Sequence, residues 1–275
     1  MIKTKKNLII FMPFIGGGGV EKNLFLISNF LSKKVNNLKI CTISNKFQKK
    51  FSNKIKFIYP KKKYPRNINI RIKYIICLFE LFNYLKNNRN SVVLSFQANI
   101  YCILVCKLLG IKVIVRSNSS PSGWYHNYFK KFIYKKIISL ADKVVVNSFD
   151  FRKQMEDKFN IKVKTIFNPL NLEEIKKKSK KKIKYNFLDQ GLNIINIGRM
   201  TDQKNQITLL KSINLIKNKI RVRLLIIGNG IEKNNLENYI KKNNLNKYIR
   251  IKNYLENPYL LLLQIHLVLQ LKQSQ

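Results

Sequence analysis

Two doubly wound α/β domains, the second of them incomplete, are the architecture this sequence predicts, and three observations carry the prediction. Short apolar, β-branched runs alternate with stretches of helical periodicity along the chain. Two of those runs lead straight into glycine-bearing turns that open helices, one at residues 16–19 and one at residue 198. The length of 275 residues leaves room for about two domains of ~150 residues each, or for one and a large part of a second. The expected boundaries are 1–170 for the first domain, 171–190 for a basic linker and 191–275 for the second domain.

In the first domain, the apolar run at 7–14 predicts a buried strand. Gly16, Gly17, Gly18 and Gly19 follow it, and a helix over 20–33 shows Leu24, Ile27, Phe30 and Leu31 at helical spacing. The glycine loop lacks the spacing of a dinucleotide fingerprint and the Lys-Ser/Thr end of a P-loop, so neither a nicotinamide enzyme nor an ATPase is indicated. Strands are expected at 38–44 and 55–59. From the basic stretch 61–71 into the helix expected over 72–85, Tyr64 and Tyr74 are interleaved with Lys61, Lys62, Lys63, Arg66, Arg71 and Lys73, which suits a membrane headgroup layer or a nucleic acid, with a solvated loop as the alternative. Strand 91–96, helix 100–109 and strand 111–116 come next. The polar loop Arg116-Ser117-Asn118-Ser119-Ser120-Pro121 leaves the carboxyl end of that strand, where open parallel sheets hold ligands. Arg116 and Asn118 are therefore candidates to meet a pyrophosphate or sugar hydroxyls, with an ordinary polar turn as the alternative. Trp124, Tyr125 and His126 are candidates for an acceptor surface; His126 lacks the Asp and Ser arrangement of a triad and reads as a surface histidine. A helix over 128–140 sets Phe129, Phe132, Ile133, Ile137 and Ile138 among Lys130, Lys131, Lys135 and Lys136, amphipathic, basic and aromatic at once. Strand 143–146, helix 150–159 and strand 163–166 complete the domain.

The lysine-dense stretch 176–182 reads first as a solvated linker and second as a polyanion site. The second domain follows with strand 192–197, helix 206–217, strand 222–227, the turn Gly228-Asn229-Gly230, helix 232–243 and a short strand at 249–251. A possible helix at 258–264 precedes a last apolar run at 266–271. The turn after strand 192–197 carries the chemistry. Gly198 is expected to let the backbone turn sharply, so that the free N–H groups of the next helix face an anion. Arg199 adds a planar fork and Lys204 a point charge, together suited to a diphosphate. In so lysine-rich a chain, a basic loop without a ligand is the plain alternative.

Gly198, Arg199, Gln203, Lys204 and Asn205, read as Gly-Arg-x-x-x-Gln-Lys-Asn after a strand, closely resemble the donor-site motif of family-4 glycosyltransferases. These are retaining enzymes of the two-Rossmann-domain glycosyltransferase-B architecture. The resemblance implies that Arg199 and Lys204 grip the diphosphate of a nucleotide-sugar. Weaker matches keep the family's order along the chain. Gly18-Gly19-Val20-Glu21 is similar to its Gly-Gly-x-Glu loop. Residues 165–170, with Asn168 before Pro169, resemble the junction that closes its first domain, although Asn171 stands where an Asp often follows. Gly228 and Gly230 resemble its second glycine turn. The resemblance thus adds Gly18, Gly19, Asn168, Gly198, Gly228 and Gly230 to the substrate-binding candidates. The family's Glu-x7-Glu carboxylates and its helix returning to the first domain have no counterpart before Gln275, Glu256 being the last carboxylate. The expectation is a truncated or frame-disrupted member, its second sheet left with an exposed edge and its transfer activity undetectable.

The formal net charge of +41 is spread over the whole chain, and Asn and Ile are abundant beside Lys, so part of it reflects compositional bias. A surface this basic is nonetheless drawn to polyanions. Cys41, Cys77, Cys102 and Cys106 lie in apolar segments without a Cys-x-x-Cys pair, as small core residues of a reducing compartment do. The lysines before the apolar run 8–15 imitate a signal peptide, but the run is short, is broken by Pro13 and leads to no small-residue cleavage site. No stretch reaches the ~18 uncharged apolar residues of a membrane span. The expected location is cytoplasmic, peripheral at the inner face of the cell membrane.

The function expected from these readings is transfer of a sugar, with retention, from a nucleotide-diphosphate sugar to a lipid-linked or polysaccharide acceptor beside an anionic membrane surface. No metal or other cofactor is expected, because two cations already stand where the leaving diphosphate develops charge. The alternatives are a catalytically dead donor-binding remnant, a nucleotide-sugar epimerase of the same architecture, and a basic nucleic-acid-binding protein. The last is favoured by charge and opposed by the lack of any recognition module.

Overall fold

The computed structural model describes residues 7–16, 18–62, 64–65, 68–121, 127–180, 187–188, 190–255, 257, 259–261 and 267–269. Contacts divide the chain into two compact units, Met1–Leu170 and Asn171–Gln275.

Unit 1 is built on seven parallel strands: β1 (Asn7–Phe11), β2 (Leu38–Cys41), β3 (Lys56–Ile58), β4 (Ser91–Ser95), β5 (Lys112–Ser117), β6 (Lys143–Val146) and β7 (Val163–Thr165). Five helices connect them: α1 (Gly19–Leu31), α2 (Ile70–Lys86), α3 (Asn99–Leu108), α4 (Tyr128–Ile138) and α5 (Phe149–Phe159). The order β3-β2-β1-β4-β5-β6-β7 winds outward in both directions from the pair β1 and β4, which makes their carboxyl ends the switch point of the sheet. Strand alternation divides the core in two. Phe11, Val93, Val113 and Val146 meet Leu81, Ile103, Ile138 and Phe159 of α2, α3, α4 and α5 on one face. Ile10, Met12, Leu38 and Ile40 meet Leu24 of α1 and Phe51 on the other. β1 stops at Phe11, short of the expected residue 14: Pro13 has no N–H to give the ladder, while its carbonyl accepts from Ile43 N at 3.1 Å.

The four cysteines are fully buried in unit 1 and unbridged. The Cys77 hydrogen bond, burial and neighbouring groups raise the Cys41 thiol well above its usual range, and burial first of all does the same for Cys102. All four are buried packing residues.

Unit 2 holds β8 (Leu192–Ile197), α7 (Gln206–Ile216), β9 (Val222–Ile227), α8 (Lys233–Lys242), β10 (Ile249–Lys252) and β11 (Leu267–Leu269), parallel in the order β10-β9-β8-β11. Among the described residues it has four strands, β11 falling within the last apolar run at 266–271. Ile194, Leu224 and Ile226 pack with Leu210, Ile213, Leu236 and Ile240 of the helices, and Ile195, Leu225 and Ile227 form the opposite face with Leu261. Of the possible helix at 258–264, the described part is a short 3-10 turn at 259–261.

The lysine-dense stretch departs from a plain linker, because α6 (Leu172–Ser179) takes in its first half. Asn171 caps it by accepting from Glu174 N at 3.0 Å, Glu173 and Glu174 occupy the first turn, and Lys176, Lys177 and Lys178 the last. That polarity complements the helix dipole and offsets the repulsion among the lysines. Among the described residues, no helix is long and apolar enough to cross a membrane.

Candidate functional site

In unit 2 the candidate residues gather at the carboxyl ends of β8 and β9. β9 lies on one side of β8 and β11 on the other, so the loop after β8 opens at this sheet's switch point. The sharp turn expected at Gly198 is made elsewhere. Gly198 is not among the residues with positive φ, and it is Asn205, in the left-handed region at φ 48°, that swings the chain into α7. Lys204 lies in a single 3-10 turn, Asp202–Lys204, just before that swing. α7 begins without a side-chain cap.

Gly228 and Gly230 are accounted for by how closely the two loops approach. Gly198 N donates to Ile227 O at 3.0 Å, Met200 N to Asn229 O at 3.0 Å and Glu232 N to Met200 O at 3.2 Å. A Cβ on Gly228 would collide with the Gly198 carbonyl, and one on Gly230 with the Met200 carbonyl. Gly228 also holds φ at 154°, which L side chains rarely adopt. Met200 is fully buried beneath these loops. Gln206, buried in the first turn of α7, donates from Nε2 to the Arg199 carbonyl at 3.1 Å and holds the loop from inside. The outcome is a rigid backbone with its cations outward. Arg199 is exposed, Lys204 is half-buried, and neither side chain has a hydrogen bond or ion pair among the described residues.

The remaining candidates lie in unit 1. Glu21, in the first turn of α1, accepts from Gly16 N at 3.1 Å and closes the glycine loop upon itself. A Cβ on Gly18 would come within 2.9 Å of the Glu21 carboxylate, whereas one on Gly19 would meet nothing within 4 Å. Arg116 is 3% exposed; its Nη2 donates to Ile166 O at 3.1 Å and to Asn168 Oδ1 at 2.9 Å. The structure thus joins Arg116 and Asn168 as a pair that ties the end of β5 to the segment after β7. Burial lowers the Arg116 pKa, but a guanidinium stays charged at neutral pH. The Asn118 amide oxygen and nitrogen are buried with no hydrogen bond among the described residues. Trp124, Tyr125 and His126 lie outside the described residues.

Arg116 and Asn118 both line a cavity of about 530 Å³ above the carboxyl ends of β4 and β5. Val20 of α1, Tyr101 of α3 and Tyr134 of α4 complete its wall, while Gly18, Gly19 and Asn168 are not among its lining residues. Three further residues shape it that the sequence reading passed over. Ala98, the N-cap of α3, is left-handed at φ 52°, a conformation costing an L residue roughly 1–2 kcal/mol. Gln97 Oε1 accepts from Phe14 N at 3.2 Å, across the β1/β4 switch. Asn99 Nδ2 donates to Arg116 O at 3.2 Å, and the Ser95 hydroxyl donates to Asn99 Oδ1 at 2.8 Å. Their place just past a strand's carboxyl end is the signal that selected Arg116 and would have selected them too.

Residues 177–274 match the family model described as glycosyl transferases group 1. An uncharacterized glycosyltransferase of Methanocaldococcus jannaschii is 24% identical over 179 residues, a match covering 58% of this chain and 44% of that protein. The chain therefore spans less than half the length of this curated relative. Among solved structures, Anabaena HepE in complex with UDP superimposes with a TM-score of 0.72 at 10% identity, covering 98% of this chain and 74% of that one. A glycosyltransferase from Rickettsia africae gives 0.69 at 16% identity, with 98% and 74% covered. The fold is the two-Rossmann-domain glycosyltransferase-B fold.

Proposed function

We propose that this chain, whose residues 177–274 match the family model of glycosyl transferases group 1, transfers a sugar from a nucleotide-diphosphate donor held at the turn between β8 and α7 to a hydroxyl of a glycolipid or polysaccharide. The observation that carries the reading is the pairing of Arg199 and Lys204, without protein partners among the described residues, with a rigid loop at a sheet's switch point. Support comes from HepE, which is seen with UDP and with UDP-glucose. In the reaction, the acceptor oxygen bonds to the anomeric carbon on the face from which the diphosphate departs. The bond from that carbon to the phosphate oxygen breaks with its electron pair on the diphosphate, which takes the acceptor's proton, and the configuration is retained. Arg199 and Lys204 oppose the negative charge as it develops. The location that goes with this reading is the inner face of the cell membrane, with α4 and the basic stretch 61–71 toward anionic lipid.

Calorimetric titration with uridine and guanosine diphosphates, against the native chain and against Arg199→Ala and Lys204→Ala, tests the donor site. Loss of one charge-assisted contact removes about 1.5–3 kcal/mol, so each variant should bind the preferred nucleotide roughly 10- to 100-fold more weakly. Equal affinity in all three proteins would sink the assignment.

A further inference from the structure

We infer that the outer face of the α2, α3 and α4 layer is a docking surface for an anionic bilayer, extending well beyond α4. These helices cover one face of the unit 1 sheet, α3 packing against α2 on one side and α4 on the other. Away from the sheet they leave large apolar side chains in solvent. Ile75 and Phe79 of α2, Leu108 of α3, and Tyr128 and Phe129 of α4 are between 63% and 90% exposed. Their spacing is ordered: Ile75 and Phe79 are four apart, Tyr101, Leu104 and Leu108 form a stripe along α3, and Tyr128, Phe129, Phe132 and Ile133 form one along α4. Exposed apolar stripes on three adjacent helices of a chain of this charge mark an interaction site.

Charge chooses the occupant. Lys130, Lys131, Lys135 and Lys136 stand among the α4 aromatics, and Glu80 is the one carboxylate on the three helices. Protein interfaces are depleted of lysine at their centres, whereas at a bilayer a lysine lays its methylene stem along the apolar surface and keeps its ammonium among anionic head groups. Lys136 Nζ already lies 5.4 Å from the Phe132 ring centre, over the ring.

The cavity gives the face a use. Tyr101 is exposed on the α3 stripe and also lines the cavity, and Tyr134 lines it from α4. The helices that would rest on lipid are thus the cavity's own wall, and an amphiphile could keep its chain in the bilayer with its head beside Asn118 and Ser119. Of the acceptor classes named above, this favours the lipid-linked one. Only this last step rests on the transferase reading.

The test uses the full chain and the fact that its four native cysteines are fully buried. Leu108→Cys, Phe129→Cys and Lys33→Cys, the last near the end of α1 on the opposite face of the sheet, are labelled with an environment-sensitive fluorophore. Each is mixed with phosphatidylcholine vesicles with and without phosphatidylglycerol. The labels at 108 and 129 should shift to the blue only with phosphatidylglycerol and be quenched by acyl-chain nitroxides, while the label at 33 should not respond. Equal responses at all three positions would mean that the net charge adsorbs the chain in any orientation and would overturn the proposal, as would no response at 108 and 129. If nucleotide binding fails in the titration above while these labels insert, the transferase reading falls and the surface stands; the reverse pair of results removes the surface alone.

Discussion

Gly19, the first residue of α1, and Gly228, in the turn after β9, are candidates for the same chemistry under different physical constraints. A Cβ at Gly19 meets nothing, and its backbone lies outside the left-handed region, so Gly19→Ala should unfold at the same denaturant concentration or slightly higher. A Cβ at Gly228 strikes the Gly198 carbonyl and must adopt a φ of 154°. Gly228→Ala should therefore push the two loops apart and cost at least ~1–3 kcal/mol, read as an earlier urea midpoint for unit 2. If Gly19→Ala keeps its stability but loses transfer, close approach of a substrate is the remaining reason for that glycine. Identical midpoints for Gly228→Ala and the native chain would refute the backbone-contact account. Arg116 shows the same separation of roles. Its burial and its bonds to Ile166 and Asn168 make it a tie within unit 1 before it can be anything else.

Among the elements, α3, β5 and β6 are joined at one carboxylate. Asp142 Oδ2 accepts from Lys107 Nζ at 2.6 Å and from Val113 N at 2.8 Å. Burial pushes the Asp142 carboxyl up, but the two hydrogen bonds and the Lys107 charge together pull it down, and the net shift is downward. A carboxyl depressed in the folded state binds fewer protons than the unfolded chain between the two pKa values. Its stabilisation is therefore present above the ordinary carboxylate range and is lost as pH falls through the folded value. Asp142→Asn should lower stability by about 1 kcal/mol at pH 7, given partial exposure, and the difference from the native chain should close below about pH 4. Urea unfolding across that range checks it; a difference unchanged at low pH would mean that side-chain shape, not charge, matters there.

At the scale of the molecule, unit 1 has a complete hydrogen-bonded order of seven strands with helices on both faces and a core continuous from β1 to β7. Residues 1–170 expressed alone should therefore unfold cooperatively in urea, with coincident near- and far-ultraviolet circular dichroism transitions. α6 buries none of its residues, so it opens at little cost, and trypsin acting on the whole chain should release that unit by cutting within residues 176–184. Non-coincident transitions, or first cuts inside β4 or β5, would contradict the division. The +41 charge acts at this scale as well, and added salt should weaken every association of the chain with a polyanion.

The alternation of apolar runs and helical periods determined the doubly wound class and the place of nearly every described element, because those patterns record which side of each segment meets a core. The Gly-Arg-x-x-x-Gln-Lys-Asn run marked Arg199 and Lys204 as candidates only, since a local motif writes its charges into adjacent positions without showing what they hold. Contacts between distant segments left no such trace. Arg116 and Asn168 lie 52 positions apart, and nothing in either neighbourhood marked them as partners. The lysines after Asn171 looked like a linker until the Asn171 cap and the order of acid before base along α6 were seen together. Ala98 is an ordinary helix former that nonetheless holds a left-handed backbone, and Gly228 is required by a carbonyl contributed by another loop. Such constraints belong to the packed arrangement, where one segment's backbone sets the space left to another, and only the tertiary structure decided them.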